Sequence, residues 1–506
     1  MAPPTTNQTI LVSESDNEKG IISDTAEATH HESNIHAAAE SGFVATDRYG
    51  VSLVQFDKAA ERRLTWKIDL MVIPTVALIY LFCFIDRANI GTYDYNQLLS
   101  IFYISYILFE IPSNIVCKWM GPGWFLPILA LGFGIASIGT AFVNDLPQAC
   151  GVRFVLGIFE SGMMPGTSYY LSRWYRRSEL AFRLSLYVVM VPLAGAFGGF
   201  LASAILRLPK FGSLTEWRMI FAIEGIITIG IALIAFITIT DRPETARWLT
   251  QEEKDLAIAR VKSERVAQTA LLDKYDNKKA WLGIWNPVVL ATSWLFLLCN
   301  ITVQGLAFFL PTIVSTIYPT HTVVQKQLAT VPPYIVGAFF TLLLPALSWI
   351  TDKRQIWMIL SAPMVMSGFL MFLASTDGKV RYAATFLIAS STFAMGPLTN
   401  AQVSAQVISD TSRSMSLATN MMFGNVGGLI STWSYIKWDA PDYKIGNGLN
   451  LGAASGILVC GILTSLWMNW DNRRREKRDV DQELSGLSQA EIENLEWKHP
   501  AWRWAP

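Results

Sequence analysis

KIDLMVIPTVALIYLFCFIDRANIG, residues 67–91, is an apolar run that ends on an adjacent acid and base, Asp86 and Arg87. A helix needs about 20 mostly apolar residues to cross a bilayer, so the stretch reads as a membrane span. Full charges at membrane depth are costly and usually face a bundle interior or a water-filled path. The rest of the chain has the same character. Of 506 residues, 52% are apolar and 16% charged, with 18 tryptophans. A soluble chain of this length would fold into domains with charged surfaces, whereas here the charge gathers in the tails and between apolar runs.

Repeating the reading along the chain predicts twelve spans, at 67–91, 93–117, 124–143, 148–171, 184–207, 219–240, 287–313, 328–351, 356–375, 381–406, 415–436 and 448–470. The fold expected is all-α and integral to the membrane, with twelve transmembrane helices in two six-helix bundles. Residues 1–55 are polar and acidic without an apolar core, and read as a disordered tail with no cleavable signal. The five cysteines lie in or at the ends of spans, which is no disulfide framework.

With the N-terminus in the cytoplasm, the Lys- and Arg-bearing stretches SRWYRRSELAFR (172–183), 241–265, TDKR (351–354) and NRRREKR (472–478) all fall on that side, and so does the C-terminus. The longest internal connection, 241–286, separates a bundle at 56–240 from one at 287–470, and 471–506 forms a C-terminal tail. A cation opens span four (Arg153 in GVRFVLG) and span ten (Arg381 in KVRYAATF), a faint internal echo. Repeated halves with a midplane site between them are one transporter plan.

The candidates for a full charge near the bilayer centre are Asp86, Arg87, Glu110, Glu160 and Glu224, all in the first half. Proton movement would therefore fall to first-half carboxylates. Glu110, just before the kinking Pro112, and Glu224, near Trp217 and Arg218, read first as packing groups. Asp86 with Arg87, and Glu160 in LGIFESGMMPG, sit among glycine and polar residues that suit a lined cavity. Tyr106, Gln304, Asn420 and Asn425 could meet a polar ligand or only bond neighbouring helices. Glycine-rich GAFGGF (195–200) and GNVGG (424–428) read as close-packing stretches. The sequence has no Walker motif, no Cys or His cluster at metal spacing and no GxSxG elbow, so it predicts neither an ATPase, a metal site, a cofactor nor an enzyme. NRRREKR reads as an orientation signal touching anionic lipid rather than nucleic acid.

IDRANIG (85–91), YDYNQLLSIFYISYILFEIPSN (93–114), RFVLGIFESGMMPGTSYYLSRWYRRSE (153–179), GAFGGFLA (195–202), WRMIFAIEGIITI (217–229) and ITDRPETARWLT (239–250) resemble the fungal allantoate permease group of the anion:cation symporters, within the major facilitator superfamily. The resemblance runs from about residue 56 to 478. It implies alternating access and proton-coupled uptake of a small organic anion such as nicotinate, pantothenate or allantoate, at the plasma membrane, by a protein that works as a monomer. Carried over site by site, it implies proton coupling at Asp86 and Glu160 and substrate contact at Arg87, Tyr106 and Asn425. Glu110, Arg153, Glu224, Asp352 and Arg354 are left as gating or packing groups. An anion arriving at Arg87 would compete with Asp86 and free it to take a proton, which couples the two ligands. An exporter or vacuolar carrier, or a nutrient receptor built on a transporter, are the rival readings.

Two departures from that family stand out. The signature after span two is reduced to CKWMGPG (117–123), although WITDKRQ keeps Asp352, Lys353 and Arg354 in the second half. Only Thr92 separates Gly91 from Tyr93 where family members carry a longer connector, so either the hairpin is unusually tight or the chain derives from an altered gene model.

Overall fold

The apolar runs become helices because nothing in a bilayer can satisfy an open backbone. The computed structural model describes residues 57–88, 95–205, 217–262, 276–435, 437–440, 442–486, 491 and 494–505, all within one unit, Val44–Pro506. No strand occurs among the described residues. The short connector through Gly91, Thr92 and Tyr93 lies outside them.

The first half contains α1 (Lys58–Ala88), α2 (Tyr95–Met120), α3 (Pro122–Thr140), α4 (Leu146–Ser161), α5 (Met163–Ser172), α6 (Arg177–Val188), α7 (Met190–Ile205) and α8 (Trp217–Thr238). After α9 (Gln251–Lys262) and α10 (Asn277–Ile284) come α11 (Pro287–Ile317), α12 (Val323–Thr351), α13 (Arg354–Ala374), α14 (Gly378–Thr392), α15 (Met395–Ala405), α16 (Asp410–Thr432) and α17 (Lys444–Glu476). Three predicted spans are pairs of shorter helices, α4 with α5, α6 with α7, and α14 with α15, so the described residues trace twelve rods at the predicted places. Among the described residues nine helices are long and apolar enough to cross a membrane on composition alone. The break in the fourth rod falls at Gly162, ahead of Pro165, and that in the tenth falls at Phe393 and Ala394, ahead of Pro397. Proline removes an intrahelical donor and crowds the preceding turn.

Helix ends are specified locally. Asn286 accepts bonds from the Val288 and Val289 amides ahead of Pro287, and Thr322 forms a capping box with Gln325. Ser409 caps α16. Large apolar side chains such as Leu70, Ile135, Ile237, Phe339 and Leu463 are more than half exposed on the outside of the bundle. Such a surface is at home only against lipid.

Where rods meet most closely, glycine is required. A Cβ on Gly427 of α16 would lie 2.2 Å from the Leu297 carbonyl oxygen of α11, and one on Gly157 of α4 would lie 2.0 Å from the Ser105 hydroxyl of α2.

The connecting segment docks on both halves. On α9, Arg260 pairs with Glu61 at 2.8 Å and with Glu179, and Glu253 receives Lys67 at 2.6 Å. On α10, the Gly283 carbonyl accepts the Ser416 hydroxyl of α16 at 3.0 Å. The last residues also fold back. Trp502 and Trp504 are buried, the Trp504 indole donates to Asp471 at 2.7 Å, and Arg475 donates to the Trp497 and His499 carbonyls. Buried Glu496 accepts from the Ser409 amide and the Ser412 hydroxyl, so the segment reaches the first turn of α16.

Candidate functional site

A partly open cavity lies between the halves. Tyr80, Phe84 and Tyr106 line it from the first half, and Asn300, Gln304 and Asn425 from the second, with Phe296 and Phe393. The wall is aromatic on one side and amide-rich on the other, a surface that stacks on a flat ligand and hydrogen-bonds its edge.

Two seams flank the cavity. Along the first, α2 meets α16 from end to end. The Trp433 indole donates to the Ser100 hydroxyl at 2.9 Å, Tyr103 lies against Gly428, and Asn425 donates to Glu110 Oε2 at 2.9 Å. Further along, the Asn114 amide donates to the Ser414 carbonyl and Lys118 to the Thr411 hydroxyl. There Lys118 also pairs with Asp410 at 3.2 Å, and Asp410 accepts the Tyr169 hydroxyl at 2.7 Å. Asp410 is fully buried. Along the second seam Phe182 stacks on Trp349 at 5.4 Å, the Arg183 guanidinium lies 4.6 Å over the same indole, and Gly195 abuts Tyr334.

The first half also holds a buried polar cluster. The Ser137 hydroxyl donates to Asp86 Oδ1 at 2.9 Å, and Arg153 donates to the Asp86 carbonyl at 3.5 Å while lying 5.6 Å over the Phe221 ring. The Asp86 carboxyl meets Glu224 side chain to side chain and lies within electrostatic reach of Glu160 and Arg153. Asp86, Glu160 and Glu224 are at most 2% exposed. Ionised carboxylates only accept hydrogen bonds, so carboxyls gathered this closely form a site where a proton can be held or exchanged.

The fold therefore brings Asp86, Arg153, Glu160 and Glu224 together inside one half, while Tyr106 and Asn425 line the cavity. The Arg87 side chain lies outside the described residues. Asp352 and Arg354 belong to neither group. Asp352 ends α12 in the left-handed conformation and bonds the buried Arg354 at 3.3 Å. Gln304 faces the cavity, but Asn420 is turned away and donates to Asn400 at 3.0 Å.

Glu110, read as a gating or packing group, bonds a cavity-lining asparagine across the halves. Sequence reasoning missed two features. Ser137 gave no signal beyond being a polar residue in an apolar span. Asp410 fell outside the span predicted at 415–436, but the helix begins at Asp410 and the carboxyl is buried. The lone Lys118 in CKWMGPG was the available clue, since a cation retained in a reduced motif needs an acid somewhere.

A family model described as Major Facilitator Superfamily matches residues 69–432. The chain belongs to the Major Facilitator Superfamily; it is a multi-pass membrane transporter and not an enzyme. It is 31% identical over 442 residues to the MFS transporter prlL of a fungal species (strain NRRL 50135), covering 82% of this chain and 88% of that one. It is 26% identical over 439 residues to the high-affinity nicotinic acid transporter of Saccharomyces cerevisiae, covering 83% and 80%. Among solved structures, the proton:xylose symporter XylE bound to 6-bromo-6-deoxy-D-glucose superimposes with a TM-score of 0.58 at 15% identity, covering 88% of this chain and 96% of that one. That likeness concerns the fold.

Proposed function

We propose that this transporter carries a small organic monocarboxylate, of the size and flatness of nicotinate, together with protons by alternating access. The observation that carries the reading is the pairing of a cavity between the halves with a buried carboxyl cluster in the first half. Three further points support it. The aromatic and amide lining suits a heteroaromatic acid. Arg87, next to Asp86 in sequence, supplies a cation for the carboxylate. A curated relative is named as a nicotinic acid transporter.

Asp86 and Glu160 are the coupling carboxyls in this proposal, with Glu224 and Arg153 setting their surroundings, and Arg87, Tyr106 and Asn425 meet the substrate. The halves, 56–240 and 287–470, rock about the cavity while the two seams open in turn, joined by 241–286. Both termini face the cytoplasm, as the distribution of Lys and Arg favours, and the protein acts at the plasma membrane.

The test is uptake of labelled nicotinate, pantothenate, allantoate and biotin by cells expressing the chain, at acidic and neutral outside pH, beside Asp86→Asn and Glu160→Gln. Acid-stimulated uptake of one compound that both variants abolish supports the reading. Surface-expressed protein that accumulates none of the four at either pH counts against import of this substrate class.

A further inference from the structure

We propose that Glu110 and Asn425 form a proton-operated switch that sets which hydrogen-bonding group the cavity offers its substrate; this rests on the proton-coupled anion reading above. The Asn425 amide nitrogen donates twice, to Glu110 Oε2 at 2.9 Å and to the Met421 carbonyl at 3.0 Å. A carboxylate and a carbonyl are both acceptors, so only one orientation of the amide fits: Nδ2 toward them and Oδ1 away. Asn425 lines the cavity. With both amide hydrogens engaged, the group it shows a ligand is therefore an acceptor. With Glu110 ionised, the cavity thus presents an oxygen to an incoming carboxylate, and acceptor meets acceptor.

A proton taken up on Glu110 Oε2 reverses this. The carboxylic acid becomes a donor and can bond Oδ1, and rotation of the amide by half a turn delivers Nδ2 to the cavity as a donor for a carboxylate. The flip gives up the bond to the Met421 carbonyl, which the helix ladder still serves, and turns Oδ1 toward that acceptor, a cost that the new Glu110 bond and the ligand must outweigh. The titratable and charged side chains on elements packed against α2 are Cys150, Arg153 and Glu160 on α4, Tyr169 and Tyr170 on α5, and Asp410 and Arg413 on α16. On α2 itself Tyr103, Tyr106, Cys117 and Lys118 flank Glu110, and α3 contributes none. Of all these, Glu110 is the one that bonds Asn425. Because the bond joins α2 to α16, the same proton also bears on the seam that must part when the transporter opens.

The experiment uses the full chain in proteoliposomes and compares equilibrium binding of nicotinate with that of nicotinamide, its uncharged isostere. Taking the ratio cancels changes in folding and in the amount of active protein. Glutamine at position 110 can donate or accept at any pH, so Glu110→Gln should raise the nicotinate-to-nicotinamide affinity ratio at neutral pH about tenfold, the size of one charge-assisted hydrogen bond. Asn425→Ala should remove the acid-induced rise in that ratio. A merely structural role for Glu110 predicts no gain at neutral pH. An unchanged ratio in Glu110→Gln overturns the switch while leaving acid-driven uptake by the wild type in place. Failure of the wild type to bind any carboxylate overturns the transport reading and the switch with it. If Glu110→Gln does not fold, the wild type's acid-minus-neutral infrared spectrum decides. An asparagine carbonyl band that shifts on acidification and vanishes in Asn425→Ala supports the switch, and its absence overturns it.

Discussion

Replacing Lys118 by methionine should unlock one end of the α2–α16 seam. In the structure the Lys118 side chain is 7% exposed and its partner Asp410 is fully buried, so solvent does little to screen the pair. The lysine also holds the Thr411 hydroxyl. Removing one partner of a buried pair strands the other charge and typically costs several kcal/mol. Asp410 would keep the Tyr169 hydroxyl, and Arg173 lies within its electrostatic reach, so the low end of that range applies. A loss of about 3 kcal/mol corresponds to about two orders of magnitude in the ratio of closed to open forms at that end.

Ser414 offers a reporter beside the lock, because it is buried and its hydroxyl has no hydrogen-bond partner. In a background with the five native cysteines removed, Ser414→Cys should react slowly with a water-soluble maleimide, and adding Lys118→Met should speed the reaction by about a hundredfold if opening precedes alkylation rapidly. Pairing Lys118→Met with Asp410→Asn should restore much of the protection, since no charge is then left buried. An alkylation rate in Lys118→Met within about twofold of its parent would refute the claim that this pair holds the seam shut.

Two other perturbations test the packing. Gly427→Ala forces a methyl group against the Leu297 carbonyl and should cost about 2 kcal/mol, seen as a lower thermal midpoint in detergent, whereas Gly198→Ala, where a Cβ would meet nothing within 4 Å, should not lower it. Trp504→Ala should free the C-terminal segment by removing about 4 kcal/mol of packing, detected as rapid trimming by carboxypeptidase. Acid should loosen the same segment. Burial holds His499 below the ordinary histidine value and its Nδ1 accepts the Ala501 amide at 3.2 Å, so the docked form favours the neutral ring. Docking is then full above the ordinary histidine value and is lost as pH falls through the lower docked one. Trimming that stays equally slow between about pH 7.5 and about pH 5 would contradict this.

The sequence by itself determined the solvent and the rods. Apolar runs of spanning length, proline-marked breaks and capping residues are local signals, and a bilayer leaves a helix few alternatives. It also singled out Asp86, Glu160, Glu110 and Asn425, because an ionisable or amide group in a span is conspicuous where it stands. Tertiary structure decided which of these groups meet. Residues 110 and 425, or 118 and 410, are far apart in the chain, and no periodicity within either helix states which helix lies opposite. The same holds for the C-terminal tryptophans: residues 471–506 read as a C-terminal tail, yet Trp502 and Trp504 are buried because α17, with Val288 of α11 and Ile408, presents them a surface that only the folded bundle creates. Local chemistry selects helices, while partners across the cavity depend on how the two halves close around it.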